Sequence, residues 1–258
     1  MEILHSIILG AVEGLTEFLP VSSTGHMILS AKLMGLEQTP ALKCFEVVIQ
    51  LGSILAVVAM FFARLKNDFT LWLKLLVGFV PTGLIGFLLY KHIKTLFEPE
   101  TVAYALITGG VIFIVIELWH TKTNYEARTT HISQISFKQA FIVGLSQCFA
   151  MIPGTSRSGS TIVAGLLCGL SREIAAAFSF LLAVPTMFAA TVYESYKNRA
   201  IFAENADNIW IFLLGGAVAF LVALGVIKLF MRFVARFTYI SFGVYRIIVG
   251  LVFIFFVF

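Results

Sequence analysis

Charge is scarce in this chain. Of 258 residues, 12% are Asp, Glu, Lys or Arg, about half the share of an ordinary soluble domain. Cysteine is scarcer: Cys44, Cys148 and Cys168 lie in apolar stretches with no CxxC or Cys/His spacing. Neither a disulfide framework nor a zinc site is suggested. No basic run is long enough to bind nucleic acid. The net charge of +4 therefore reads as the Lys and Arg excess of cytoplasmic loops. The opening residues, MEILHS, lack a basic n-region, and Glu13 interrupts the apolar stretch behind them. That segment reads as mature protein and not as a signal peptide.

What fills the chain is apolar: 59% hydrophobic residues, 26 Phe and a mean hydropathy of +0.97. A soluble fold of this length cannot hide so much apolar surface. A membrane β-barrel alternates apolar and polar residues, and these runs are unbroken. The composition leaves an all-α polytopic membrane protein. About 20 apolar residues cross a bilayer, and six stretches qualify: 45–63, 71–90, 102–119, 174–193, 209–230 and 239–258. Short polar connections such as 64–68 and 91–100 separate them, and the longest, 120–138, is expected in water.

Two apolar regions break this pattern. Residues 3–19 carry Glu13 and Glu17, stop at Pro20, and resume over about 24–36; residues 137–152 stop at Pro153-Gly154 and resume over about 160–170. Each half is too short to cross, and each break is rich in Ser, Thr, Gly and Pro. Irregular backbone at membrane depth survives only inside protein or beside a water-filled cavity. Both regions read as re-entrant helix–loop–helix hairpins; the alternative is an extramembrane turn between short helices. An offset of 134 residues aligns Gly10 with Gly144, Glu13 with Gln147, Ser22 with Ser156, Thr24 with Ser158 and Gly25 with Gly159. The expected fold is one integral-membrane domain over 1–258, with repeat 1 at about 1–119, a loop at 120–136 and repeat 2 at about 137–258. Each repeat holds one re-entrant hairpin and three transmembrane helices, six full spans in total. Three is odd, so the second repeat is inverted, and its site lies between the repeats near the midplane. Nine Lys and Arg on the side of 64–68, 120–138 and 231–238, against six opposite, put that side in the cytoplasm and both termini outside.

The breaks concentrate the polar chemistry. Glu13 and Glu17 are four apart, so they share a helix face. Each costs about 2.5–3.5 kcal/mol at the centre of a bilayer helix. Together they require a polar cavity, a cation or a basic partner, unless the hairpin lies shallow. Ser22, Ser23 and Thr24 precede an apolar helix, with His26 in its first turn. One hydroxyl serves as a helix cap; three exceed that need, and the helix start suits phosphate. In PGTSRSG, Arg157 stands between Ser156 and Ser158. Its planar fork matches phosphate oxygens, and Gly154 and Gly159 let backbone N–H groups approach an anion. An internal salt bridge from Arg157 to Glu13 or Glu17 is the structural alternative, and it is compatible with anion binding. A Ser beside a carboxylate or His is an activated nucleophile. The chemistry implied is phosphoryl transfer from an amphiphile with a phosphate head.

The stretches EGLTEFLPVSSTGH (13–26) and PGTSRSG (153–159), supported by IQLGSILAV (49–57), FSFLLAVPT (178–186) and FGVYRIIVGL (242–251), closely resemble the undecaprenyl-diphosphate phosphatase family, also known as bacitracin-resistance proteins. The resemblance implies a multi-pass protein of the bacterial inner membrane with its active site facing the periplasm. The implied activity is hydrolysis of undecaprenyl diphosphate to undecaprenyl phosphate and phosphate, which recycles the lipid carrier for peptidoglycan and confers bacitracin resistance. It also implies a divalent cation, Mg2+ or Ca2+, with unassigned ligands. Carried onto this chain, the catalytic set is Ser23 as nucleophile, Glu17 or His26 as base, and Arg157. Ser22, Thr24, Gly154, Thr155, Ser156, Ser158 and Gly159 bind the diphosphate, and Glu13 binds the cation or holds Arg157. The implied partners are the lipid substrate and membrane lipids, with homo-oligomerisation left open. The alternative from another class is a flippase moving a polyprenyl phosphate, which needs the same site and no nucleophile.

Overall fold

The computed structural model describes residues 2–94, 99–123, 127–204 and 206–257. Parts of the predicted 91–100 and 120–138 connections, residues 95–98 and 124–126, lie outside them. The described chain is helical: α1 (Ile3–Thr16), α2 (Ser23–Leu33), α3 (Pro40–Val48), α4 (Gln50–Met60), α5 (Phe62–Asn67), α6 (Phe69–Lys94), α7 (Pro99–Lys122), α8 (Phe137–Ser146), α9 (Arg157–Leu167), α10 (Arg172–Lys197), α11 (Arg199–Glu204), α12 (Ala206–Val234) and α13 (Ile240–Val257). Five helical stretches are long and apolar enough to cross a membrane: Pro40–Met60, Phe69–Leu89, Glu100–Lys122, Arg172–Lys197 and Ile209–Val234. The predicted span 239–258 is helical as α13, but its described apolar stretch, Ile240–Phe255, is shorter than these five, as is Ile3–Thr16.

Several long helices begin further out than hydropathy predicts, because polar N-caps extend them past their apolar centres. Thr39 accepts a hydrogen bond from the Leu42 amide at 3.2 Å with Pro40 in the first turn, so this span starts ahead of the predicted residue 45. Asp68 accepts from the Leu71 amide at 2.9 Å, and Ser171 from the Ile174 amide at 3.3 Å. The 120–138 connection is largely exposed in its described part, as expected, but it is also anchored to the protein. Ile132 and Ile135 are buried in the core, and the Arg128 and Thr129 amides donate to the Gly169 carbonyl. This strap ties the start of α8 to the end of α9.

α10 runs through the core, with Phe178, Phe180, Leu181 and Leu182 fully buried. Around it the helices pair in matching ways. α1 lies on α12, and α8 lies on α6. A Cβ on Gly10 would strike the Gly215 carbonyl; one on Gly144 would strike the Gly78 backbone. Both short helices thus approach a long partner through facing glycines. α7 and α13 pack on each other, with Gly110 against Gly243. These pairings bring the breaks after α1 and α8 to the middle of the molecule.

Candidate active site

Both breaks turn in the same way. Ser22 has φ 70° and Ser156 φ 72°, the only non-glycine residues with positive φ among the described residues. A side chain is strained there, by about 1–3 kcal/mol. The serine hydroxyl offsets the strain by capping the next helix: Ser22 Oγ accepts from the Gly25 amide at 3.3 Å, and Ser156 Oγ from the Gly159 amide at 3.1 Å. α2 and α9 therefore begin at Ser23 and Arg157, a few residues earlier than predicted on the second tip.

The two tips meet through one chain of polar contacts. Ser23 Oγ donates to Glu17 Oε2 at 2.6 Å, and Arg157 Nη2 donates to Glu17 Oε1 at 3.2 Å. Glu17 is 6% exposed, so its ion pair forms in a low-dielectric setting where charge interactions are strong. Of the two carboxylates the sequence offers to Arg157, the geometry selects Glu17. Arg157 Nη1 donates to the Ser179 carbonyl at 2.8 Å, its guanidinium carbon lies 5.9 Å from the Phe18 ring centre, and its Nε is buried without a partner. A nucleophile-type hydroxyl, a carboxylate and an arginine with a spare N–H thus stand in sequence across the two tips.

The remaining predicted residues divide. Glu13 is fully buried one turn below Glu17; its Oε1 accepts from Ser53 Oγ at 3.4 Å, and its Oε2 has no partner. Ser158 Oγ donates to the Leu19 and Glu17 carbonyls at 3.0 and 3.3 Å, so it stitches the tips together. Its Oγ also lies 3.2 Å from Ser156 Oγ. Thr24 is half-buried and makes no side-chain hydrogen bond among the described residues. Gly154, at φ 91°, packs where a Cβ would strike the Val102 carbonyl. Thr155 and Gly159 line an apolar cavity of about 660 Å³ with Tyr104 and Phe149, apart from the Glu17–Ser23–Arg157 chain. His26 is not joined to Ser23: Nδ1 lies 2.8 Å from the Ser22 carbonyl and Nε2 2.8 Å from the Tyr245 hydroxyl. A carbonyl only accepts, so Nδ1 carries a proton, and in the neutral imidazole the Tyr245 hydroxyl donates to Nε2.

Four partners escaped the sequence reading: Ser53, Ser179, Tyr245 and Arg246, whose guanidinium donates to the Pro20 and Gly154 carbonyls of the two tips. Ser53 is a single hydroxyl in an apolar helix and Ser179 contributes its backbone carbonyl, so neither carries a local signal. Arg246 did carry one, as a lone arginine inside an apolar span.

The chain matches known proteins along its whole length. The family model described as bacitracin resistance protein BacA covers residues 6–252. The chain belongs to the BacA family. BacA relatives include proteins named undecaprenyl-diphosphatase from Campylobacter fetus, 73% identical over 100% of both chains, and from Persephonella marina, 55% identical over 100% of both. Another of that name, from Wolinella succinogenes, is 54% identical over 99% of this chain and 98% of its own.

Proposed function

We propose that this chain hydrolyses undecaprenyl diphosphate to undecaprenyl phosphate and inorganic phosphate in a bacterial inner membrane, from a site open to the periplasm. That activity recycles the lipid carrier for peptidoglycan and confers bacitracin resistance. The relatives' shared name supports the reaction, and the Ser23–Glu17–Arg157 chain carries its chemistry. The fold behind it is an inverted repeat, about 1–119 and 137–258, each with a re-entrant hairpin and three spans, α13 being the sixth. Three observations support that reading: the cap serines 22 and 156 share one backbone conformation, α1 on α12 parallels α8 on α6, and the sequence offset of 134 relates the tips.

In the mechanism, Ser23 Oγ attacks the terminal phosphorus and Glu17 Oε2 takes its proton. The new Oγ–P bond forms as the bridging P–O bond breaks, and undecaprenyl phosphate leaves with that oxygen. Arg157, already held by Glu17 and the Ser179 carbonyl, turns its spare N–H to the phosphoryl oxygens and stabilises their charge. Glu17 passes that proton to the departing undecaprenyl phosphate. Restored as a carboxylate, it takes a proton from a water whose oxygen attacks the phosphoserine phosphorus, and returns it to Ser23 Oγ as the Oγ–P bond breaks and phosphate leaves. The helix starts at Ser22–Thr24 and Ser156–Ser158 complete the phosphate cradle. Glu17 takes the base role on geometry, because its carboxylate touches Ser23 and His26 does not. His26 and Tyr245 border the site beside α2.

A divalent cation fits Glu13 best. Its Oε2 is a buried carboxylate oxygen with no partner, and Mg2+ commonly takes one or two carboxylates together with substrate phosphates. Among the described residues no three His, Cys, Asp or Glu cluster together. When bound, the cation supplies positive charge to the diphosphate.

The test is phosphate release from undecaprenyl diphosphate by purified protein in detergent with Mg2+, beside Ser23→Ala and Arg157→Ala. Release by the wild type, lost by about 10²-fold or more in both variants, is expected, with a phosphoserine trapped on Ser23. Substantial turnover by Ser23→Ala would instead favour direct attack by water held on Glu17. Lipid binding without release would point to a flippase.

A further inference from the structure

Arg246 is the largest fully buried side chain among the described residues, at 0% exposure in the middle of α13. A cation there would ordinarily be matched by a carboxylate. Arg246 instead meets four backbone carbonyls. Nε donates to Leu106 at 3.3 Å, Nη1 to Pro20 at 3.1 Å, and Nη2 to Ala105 at 3.1 Å and Gly154 at 3.0 Å.

Two of these acceptors belong to α7, which makes a rigid base with α13. The other two are the hairpin tips themselves. Pro20 stands two residues before the cap Ser22, and Gly154 two residues before the cap Ser156. One guanidinium therefore holds corresponding carbonyls of both tips. The molecule makes room for it: a Cβ on Gly109 would strike the guanidinium, and one on Gly159 would crowd Nη1. The planar fork matters here, because its donors diverge in fixed directions and reach both tips at once; a lysine ammonium is a single point.

We propose that Arg246 is a positioning residue that sets the separation of the two tips, and through it the register of Ser23 and Glu17 on one against Arg157 on the other. It touches none of the reacting groups. A carbonyl committed to Arg246 also cannot turn its negative end towards a bound diphosphate. The catalytic consequence rests on the hydrolytic reading above; the geometric one does not.

The test uses Arg246→Lys, which keeps the charge and loses the fork, and Gly109→Ala, which keeps the arginine and displaces it from α7. Activity on undecaprenyl diphosphate is measured on monodisperse, folded protein. Spin labels at Met34 and Leu167, in a variant lacking the native cysteines, report the spacing of the tips from the far ends of α2 and α9. The expected result in either variant is a broadened or shifted distance distribution. With it, kcat falls by at least ~10-fold and KM moves less than ~3-fold, as misplacement of reacting groups predicts. An unchanged distance distribution overturns the proposal whatever the kinetics do. So does a wild-type kcat, or a rise in KM that accounts for the whole loss. If one variant does not fold, the other gives the same readings. Absence of phosphate release by the wild type would refute the hydrolytic reading alone, leaving the distance measurement to decide this one.

Discussion

The two hairpin tips share a backbone and differ in chemistry. Ser22 and Ser156 adopt the same unusual φ and cap the helix behind them in the same way. Around those serines the side chains diverge: at the offset of 134, Glu13 faces Gln147, Glu17 faces Met151, Ser23 faces Arg157 and His26 faces Ser160. The first tip holds the acids and the hydroxyl that donates to Glu17, and the second holds the cation. One conserved geometry thus supplies the frame, and its side chains need not be duplicated. Had both tips kept Glu, two carboxylates would repel at the centre; had both kept Arg, neither would have a base.

The largest effect that breaks this comparison comes at the 17/151 pair. Glu17→Gln removes the carboxylate that touches both Ser23 and Arg157, and kcat is expected to fall ~10²–10⁴-fold. Met151→Leu, at the matching position, is expected to keep near-wild-type phosphate release, since a volume-conserving apolar change costs little. Equal losses from the two would show that the tips do not divide the chemistry.

A smaller effect sharpens the likeness. Ser22→Ala and Ser156→Ala each remove a cap while keeping the strained φ, and each is expected to lower stability by about 1 kcal/mol in a detergent melt. Ser→Gly at either position loses the same cap but relieves about 1–3 kcal/mol of strain, so it is expected to leave stability unchanged or raise it. A large stability loss from only one of the alanine variants would break the structural equivalence.

The smallest effect lies at the 26/160 pair. Tyr245→Phe keeps the stacked ring and deletes the hydroxyl 2.8 Å from His26 Nε2. The loss of one hydrogen bond, about 0.5–1.5 kcal/mol, predicts a roughly 2–10-fold drop in kcat/KM. A loss as large as that of Glu17→Gln would return the base role to His26.

Much of this was legible before any coordinates. Long apolar runs, two breaks rich in Ser, Gly and Pro, and the 134-residue offset required only composition and order. The pairing of Ser22 with Ser156 was already visible as an alignment, and the structure adds that the two share one backbone turn. Helix ends were less legible, because caps such as Thr39 and Ser171 extend helices beyond what hydropathy registers. The strap at 127–135 is exposed at Arg128, Thr130, His131, Ser133 and Gln134, as its polar sequence predicts, and only the anchoring of its two isoleucines in the core carries no local signal.

By itself, then, the sequence determined a helical membrane protein with two polar interruptions and the identity of the groups within them. These are local properties, set by hydropathy, helix period and turn chemistry. Tertiary structure alone decided which groups meet. Glu13 and Glu17 lie on one helix face and are equivalent by period, yet Arg157 reaches Glu17 and leaves Glu13 to Ser53. Arg246 reaches Pro20 across 226 residues. Such choices depend on how far each helix slides along its neighbour before facing glycines lock, and no local pattern encodes that distance.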